Sequence, residues 1–476
     1  MTQSPSLTGA LRPGDFFSMA VGAMIGVAWI PLLGAWLGDA GSLGAALSFL
    51  MSTVLISLIG LAYIRVASHV PISGAEVSYA LHFFGRGTAF LVGWVLCFIY
   101  IAVASFEAIS IGWILGTLVP SIEGPVVYKM LGADVKAGTI ALAIGGTLLL
   151  CWLNARGAAS AARMQHVLTI ALLITSLLFI GAGLLFGDTA NLAPWFAERE
   201  TGWRWGGVLS VFVVTPLFFG GFNFAAQAIG ERAPGVTTND IGRVLVFAIL
   251  TAGLFYALVV IAAAMSLPRP ELLAQPLPAA AAFRVAFDSV ALGNVVLIAG
   301  LLGLVTTWNA VIFAAIRVLH RLASAGLLLP AFAELNPKTG APTAAILFTG
   351  VVSSAGALFG LGALVPIVNA AGVGVTVAYL IVCLAAWKLH RDVLSGVTVF
   401  VAALVLFAAC AEPFIAKPVA HLPTQCKVLL AWFALGIAVY LARQRRGAAQ
   451  PTPRPDRLPL EKSGAPAPSG SGIELE

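Results

Sequence analysis

Charged side chains are scarce in this sequence: Asp, Glu, Lys and Arg make up 10% of its 476 residues, against about a quarter in soluble domains. That scarcity excludes a water-soluble globular protein, and with 60% of the residues hydrophobic it leaves an integral membrane protein. Cysteine is equally sparse. Cys97, Cys151, Cys383, Cys410 and Cys426 sit in or beside apolar runs without metal-ligand spacing, which argues against a metal centre or a disulfide framework. The six histidines, His69, His82, His166, His320, His390 and His421, fall near the ends of those runs. No histidine–carboxylate cluster, nucleophile elbow or phosphate-cradling loop occurs, so an enzyme is disfavoured and no cofactor or metal is expected. The continuous polar lining that a channel needs is missing as well. No cleavable signal peptide is evident, because the segment before Phe16 is polar and the apolar run after it is long enough to span; the first helix acts as the targeting signal.

What the sequence has in abundance is apolar stretches of about 20 residues, the length that crosses the hydrocarbon core as helix. They centre near Ile25, Leu55, Ile99, Gly145, Ile174, Phe219, Thr251, Leu302, Phe348, Val375, Leu404 and Leu435, which predicts an all-α membrane protein of about twelve spans. With the N-terminus inside, 18 of the 26 Lys and Arg fall on the cytoplasmic side and 8 on the other. Short cytoplasmic loops accumulate positive charge, so both termini are expected in the cytoplasm and the chain in the plasma (inner) membrane. The net charge of +6 then reflects topology and attraction to anionic lipid rather than nucleic-acid binding. The tail over 447–476, rich in Pro, Ala, Gly and Ser, is expected to be disordered.

Two of the apolar segments are interrupted by glycine. The first reads Gly22-Ala23-Met24-Ile25-Gly26-Val27-Ala28-Trp29-Ile30-Pro31, the second Thr215-Pro216-Leu217-Phe218-Phe219-Gly220-Gly221-Phe222-Asn223. A broken helix exposes backbone N–H and C=O groups at bilayer depth, which is tolerated only where protein or a cavity satisfies them. Pairing span one with six through to five with ten gives similar offsets, which predicts two five-helix units over 15–187 and 203–390. An odd number of crossings inverts the second unit. Residues 1–14 form a cytoplasmic N-terminus, and two additional helices occupy 395–443.

Several motifs also carry a family resemblance. Gly22-Ala23-Met24-Ile25-Gly26, Pro71-Ile72-Ser73-Gly74-Ala75-Glu76-Val77-Ser78-Tyr79, Phe219-Gly220-Gly221-Phe222-Asn223 with Gly230-Glu231-Arg232, and Thr306-Thr307-Trp308-Asn309-Ala310 with Arg317 and Gly326-Leu327-Leu328-Leu329-Pro330 occur in the order seen in the amino acid–polyamine–organocation permeases. The chain up to about Arg446 resembles that family. The resemblance implies a sodium-symporter-like 5+5 inverted repeat, transport of amino acids or related amines, and a bundle of helices one, two, six and seven rocking against a scaffold of three, four, eight and nine.

The first break creates a helix N-terminus whose free N–H groups suit a carboxylate. Ile25, Gly26, Val27 and Ala28 are therefore candidates for substrate backbone contacts; the plainer reading is a small-residue seam, since Gly22 and Gly26 have that spacing. Trp29 stands where family members carry a smaller residue and is expected to narrow the pocket. In helix six, the carbonyls of Leu217, Phe218 and Phe219 are expected to be freed for a substrate ammonium by the Gly220-Gly221 break. Phe218, Phe219 and Phe222 are candidates for pocket or gate, either over the cation or as ordinary packed rings. Asn223 replaces a carboxylate common in the family.

Glu107, the acidic residue deep in helix three, is functional by default at that depth. It is a candidate proton carrier or partner of a cationic substrate, or else a neutral acid bonding a neighbouring helix. The lysine that proton-coupled relatives carry in helix five is absent: Gln165 leads to Thr169 and then Leu172. Sodium-coupled relatives use helix-eight hydroxyls with helix-one carbonyls, which Thr306 and Thr307 could supply with Ala23 and Gly26, unless they bond only their own helix. Asn309 and Asn369 are expected to bond across the bundle, and Glu412 to be interfacial. Arg232, Arg317 and Arg321, with Glu231 and Glu76, are expected at the cytoplasmic face as latching salt bridges or solvated charges. The combined reading is a secondary transporter of amino acids or small amines, coupled to protons. Sodium symport, substrate exchange, or a transport-inactive sensor or subunit of the same fold are the alternatives.

Overall fold

A computed structural model describes residues 11–130, 133–197, 204–275, 277–360, 364–415 and 424–447. The expected disordered tail beyond 447, and the side chains of Asn369, Glu412 and His421, lie outside the described residues. The molecule is built almost wholly of helices. The first apolar segment is split into α1 (Pro13–Met24) and α2 (Trp29–Ala40). α3 (Ser42–Ala67) crosses back to a short helix, α4 (Ala75–Phe84), which lies before the long α5 (Arg86–Leu118). A two-stranded antiparallel hairpin, β1 (Val126–Met130) and β2 (Ala133–Lys136), leads to α6 (Ala137–Ala155) and α7 (Ala158–Phe186).

The sixth segment is split again, into α8 (Arg204–Phe218) and α9 (Asn223–Gln227). α10 (Thr238–Ser266) is followed by the short α11 (Arg269–Leu273) and α12 (Pro278–Ala286), then by α13 (Val290–Ser324), α14 (Thr343–Ala357), α15 (Leu364–His390), α16 (Val393–Ile415) and α17 (Thr424–Gly447). Ten of these segments are long and apolar enough to cross a membrane. The split first segment and the shorter α14 complete twelve crossings. The hairpin and α11–α12 were not foreseen, because short mixed segments carry no periodicity strong enough to distinguish them from loops.

Loop contacts show that the crossings alternate between two faces. On the face bearing the start of α1, called the near face, the Leu11 amide donates to Glu231 O (3.0 Å), the Gly74 amide to Gln227 O (3.0 Å) and Arg86 Nη1 to Ala325 O (3.1 Å). On the far face, Ser42 Oγ donates to Leu192 O (2.5 Å), the Ala197 amide to Ala40 O (3.0 Å) and Arg269 Nη2 to Gly38 O (2.8 Å). Two groups of helices are evident in the packing. α3, α8 and α10 pack on one another or on α1, while α5, α6, α13 and α14 form a second group, and α7 and α15 bridge them. Small residues permit the closest approaches, as expected where lipid supplies no hydrophobic drive between helices. A Cβ on Gly253 would lie 1.8 Å from Thr53 Oγ1, and one on Gly93 would lie 2.6 Å from Leu322.

Candidate functional site

The last helical bond of α1 joins the Ile25 amide to Val21 O (2.9 Å), and helix resumes only at Trp29. The carbonyls left at the end of α1 are taken up by side chains from other helices. Gly22 O accepts from Thr306 Oγ1 (2.9 Å) and Thr307 Oγ1 (3.0 Å), Ala23 O accepts from Thr307 (3.4 Å), and Met24 O accepts from the Tyr256 hydroxyl (2.7 Å). Gly303 of α13 backs the break; a Cβ there would stand 2.7 Å from Ile25 O and 2.8 Å from Gly26 O. Among the described residues, the amides of Val27 and Ala28 have no hydrogen-bond partner, and they sit at the start of α2 where the helix dipole favours an anion.

The sixth segment breaks differently. Pro216 brings no amide to close on Phe212, and the Thr215 hydroxyl takes the Phe212 carbonyl instead (2.8 Å). Beyond α8 the chain forms tight turns, with the Gly220 amide donating to Leu217 O (2.9 Å) and the Phe222 amide to Phe219 O (3.2 Å). The expectation of three free carbonyls is therefore corrected: the turns occupy those of Leu217 and Phe219, and of the three only Phe218 O has no backbone donor. The two breaks touch, since a Cβ on Gly221 would fall 2.5 Å from the carbonyl carbon and Cβ of Ala23.

Between them lies a cavity of about 100 Å³. Of the residues singled out in the sequence, Ala23, Gly26, Val27 and Ala28 line it from the first break, Leu217, Phe218, Gly220 and Gly221 from the sixth, and Glu107 and Thr307 from α5 and α13. Ile25, Trp29, Phe219, Phe222, Asn223 and Thr306 are buried outside that lining. Trp29 turns away, stacked on Phe179 (5.3 Å between centroids) and edge-on to Phe255 (5.6 Å), so it does not narrow the cavity. Phe222 packs against Tyr63 and Tyr379 (5.0 and 5.4 Å). Phe218 closes one end with Trp36 and Tyr256 (5.2 and 5.8 Å).

Sequence reasoning missed the wall opposite, where Ile99, Val103 and Phe106 line the cavity with Glu107. Their spacing of four, three and one is a single helical stripe, and that stripe was the available signal. Tyr100, Phe224 and Tyr256 were missed as well. Glu107 is 3% exposed, and its Oε2 is buried without a partner. A Cβ on Gly26 would lie 3.0 Å from Thr307 Oγ1 and 3.3 Å from Glu107 Oε1, so the first break, the helix-eight hydroxyl and the acid meet at one point.

A split first helix, a split sixth helix and a cavity at their junction form an arrangement that can be compared across known proteins. The family model described as amino acid permease matches residues 15–440. The chain belongs to the amino acid permease family. It is 25% identical to the branched-chain amino acid permease BcaP of Bacillus subtilis (strain 168), over 81% of this chain and 82% of that protein. It is equally similar, at 25%, to the methylthioribose transporter of the same organism, over 82% and 83%. The lysine-specific permease LysP of Escherichia coli (strain K12) is 21% identical over 74% and 71%. These relatives are transporters, so the chain is a multi-pass membrane permease and not an enzyme.

Behind the first break the permease carries a chain of neutral polar side chains. Asn154 Nδ2 donates to Asn309 Oδ1 (3.3 Å), Asn309 Nδ2 to Gln165 Oε1 (2.8 Å), and Gln165 Nε2 and Thr169 Oγ1 to Ser18 O (3.4 and 3.1 Å). His166, on α7 at the edge of this group, bonds Ser18 Oγ (2.8 Å). Thr306 also donates to Gly303 O (2.9 Å), so it bonds both its own helix and α1. The Thr306 and Thr307 hydroxyls of the candidate sodium set thus already donate to the carbonyls of Gly22 and Ala23.

Of the three arginines singled out at the near face, one pairs with an acid and the others bond neutral acceptors. Arg317 grips Glu231 through Nε (2.6 Å) and Nη2 (3.0 Å), a bidentate pair buried on both sides. Arg321 Nε donates to Ser78 Oγ (2.8 Å), and Arg232 Nη1 to Ile229 O (3.2 Å). Glu76 is not part of a salt-bridge latch, contrary to expectation. It is wholly buried and faces neutral donors, because both nearby arginines are already engaged.

Proposed function

We propose that this permease is a secondary active transporter that moves amino acids or related small amines by alternating access. The observation that carries this reading is the cavity, lined both by Val27 and Ala28, whose amides are free, and by Phe218, whose carbonyl has no backbone donor, with an otherwise mostly apolar wall. The substrate carboxylate binds at the Val27 and Ala28 amides, and the ammonium binds at Phe218 O beneath the Phe218 ring. Its side chain lies along Ile99, Val103 and Phe106, a lining suited to an aliphatic amino acid such as those named for the branched-chain relatives. The two five-helix units are read as an inverted repeat, with the group containing α1, α3, α8 and α10 moving against that containing α5, α6, α13 and α14. The near face is cytoplasmic, with both termini there and the chain in the plasma (inner) membrane.

Glu107 is the coupling proton site, supported by its unpartnered Oε2 on the cavity and by the neutral set of side chains behind the first break. A second reading, favoured by the same oxygen, pairs Glu107 with a cationic side chain, as in a lysine substrate. Reconstituted liposomes separate the two. With a proton carrier, an imposed pH gradient drives leucine accumulation, and Glu107→Gln abolishes accumulation while sparing exchange. With a charge partner, the same change weakens lysine binding directly. Sodium-driven uptake indifferent to this substitution would move the coupling role to Thr306 and Thr307. No uptake of any amino acid or amine by the unaltered protein would overturn the transport reading.

A further inference from the structure

Glu76 occupies a second polar pocket that the cavity does not include. It lies on α4, outside the spans, yet it is wholly buried between the broken sixth helix and the near face. Its Oε1 accepts from the Tyr63 hydroxyl (2.9 Å) and from Asn223 Nδ2 (2.6 Å), and its Oε2 accepts from Gln227 Nε2. Asn223 Nδ2 also reaches the Tyr100 hydroxyl (2.9 Å), and Tyr100 lines the cavity. A continuous hydrogen-bonded path thus runs from the cavity wall to the carboxyl group. Four further buried polar atoms around this pocket lack partners: Asn223 Oδ1, Gln227 Oε1 and the hydroxyls of Tyr79 and Tyr379.

The placement is mechanical as well as chemical. Tyr63 of α3 and Asn223 and Gln227 of α9 belong to the group that includes the broken helices, whereas α4 packs mainly on α5 and α15. The carboxyl group is therefore a tie between the two groups at the near face, alongside the Arg317–Glu231 pair. The cations that meet α4 are held at other positions of the helix than Glu76: Arg321 of α13 by Ser78, and Lys388 of α15 by Phe83 O (2.8 Å). Tyr63, Tyr79, Tyr100 and Tyr379 are the titratable groups that face it.

We propose that Glu76 is a proton-binding site that links the cavity to near-face closure, holding α9 and α3 against α4 as a carboxylate and remaking that contact when it takes up a proton. The proton, supplied by near-face water, ends on one carboxyl oxygen, which can then donate but no longer accept at that position. The amide facing it must turn away or swing its free oxygen toward the new hydrogen, and either movement shifts α9. Burial pushes the carboxyl up to about 7, against the opposing hydrogen bonds from Asn223, its own backbone, Tyr63 and Gln227. Loading and release therefore fall in the physiological range.

This inference rests on the transport reading for its role, but its chemistry is measurable without transport. In difference infrared spectra of the purified full chain, a protonated-carboxyl band should grow as pH falls through about 7, persist in Glu107→Gln and vanish in Glu76→Gln. Gln227→Met removes one donor to the carboxylate and should move the midpoint to higher pH. In liposomes, Glu76→Gln should flatten the pH dependence of exchange across the same window without changing substrate affinity. A band that survives in Glu76→Gln, or a midpoint unmoved by Gln227→Met, overturns the proposal. If Glu76→Gln fails to fold, the Gln227→Met midpoint decides. Absent uptake by the unaltered protein with the band behaving as expected would sink the transport reading and leave the proton site standing.

Discussion

The two interrupted helices meet at one cavity but are held in opposite ways. The first break is fastened from outside: hydroxyls of Thr306, Thr307 and Tyr256, on α13 and α10, take the carbonyls of Gly22, Ala23 and Met24. The sixth break is closed largely from within, by turns that take the carbonyls of Pro216, Leu217 and Phe219 without another helix and leave Phe218 O open. A backbone opening fixed to its neighbours cannot move without breaking several buried bonds. One that closes on itself can move as a unit. Under the proposed motion, in which α1 and α8 move together against α13, the first break would have to release its bonds from Thr306 and Thr307 while the sixth keeps its own turns.

The sharpest way to break this comparison is at the contact between the two openings. Gly221→Ala places a methyl group 2.5 Å from the Ala23 backbone, so it should abolish uptake while the protein still inserts. Gly145→Ala, which meets nothing within 4 Å, should transport normally. Equal transport by both variants would show that the breaks do not depend on their contact.

A smaller effect is expected from unfastening the first break. Thr306→Ala combined with Thr307→Ala strips Gly22 O of its side-chain donors, and leaving a buried acceptor unpaired costs about 1–3 kcal/mol. The melting temperature of the purified double variant should fall accordingly, whereas Thr117→Ala, which removes an exposed hydroxyl bonded only to its own helix, should leave it nearly unchanged. An undiminished melting temperature in the threonine double variant would remove the fastening argument.

The smallest effect separates two adjacent rings. Phe218→Ala should weaken substrate affinity about tenfold, the equivalent of about 1.4 kcal/mol, because Phe218 lines the cavity. Phe219→Ala, buried away from it, should lower stability and spare affinity. A reversal of those two results, read in binding isotherms and melting curves, would mean that the turn presents the other ring to the substrate.

These rings also mark how far the sequence could be read. The crossings, both breaks and the depth of Glu107 were legible, because long apolar runs, glycines inside them and a lone acid in a span fix position along the chain even where their role stays open. The facing of residues around each break was not. Helical periodicity stops at a break, so nothing in the spacing says that Phe218 and Phe224 face the cavity while Phe219 and Phe222 do not, or that Trp29 restarts its helix turned toward Phe179. The charge pairing was hidden for another reason. Glu76, Glu231, Arg317 and Arg321 were all placed near one face, but only the fold decides that Arg317 takes Glu231 and Arg321 takes Ser78, leaving Glu76 among neutral donors.

The backbone just ahead of α1 is tied to the backbone beyond α9. Leu11 bonds through its amide to Glu231 O and through its carbonyl to the Ala233 amide (3.0 and 2.8 Å), gripping the strand of backbone that leaves α9. Glu231 is at once the anchor of Leu11 and the partner of Arg317, so tension applied at the amino end is delivered straight to the near-face ion pair. A bulkier side chain at Leu11, which is 1% exposed, would press on that pair through the Glu231 backbone.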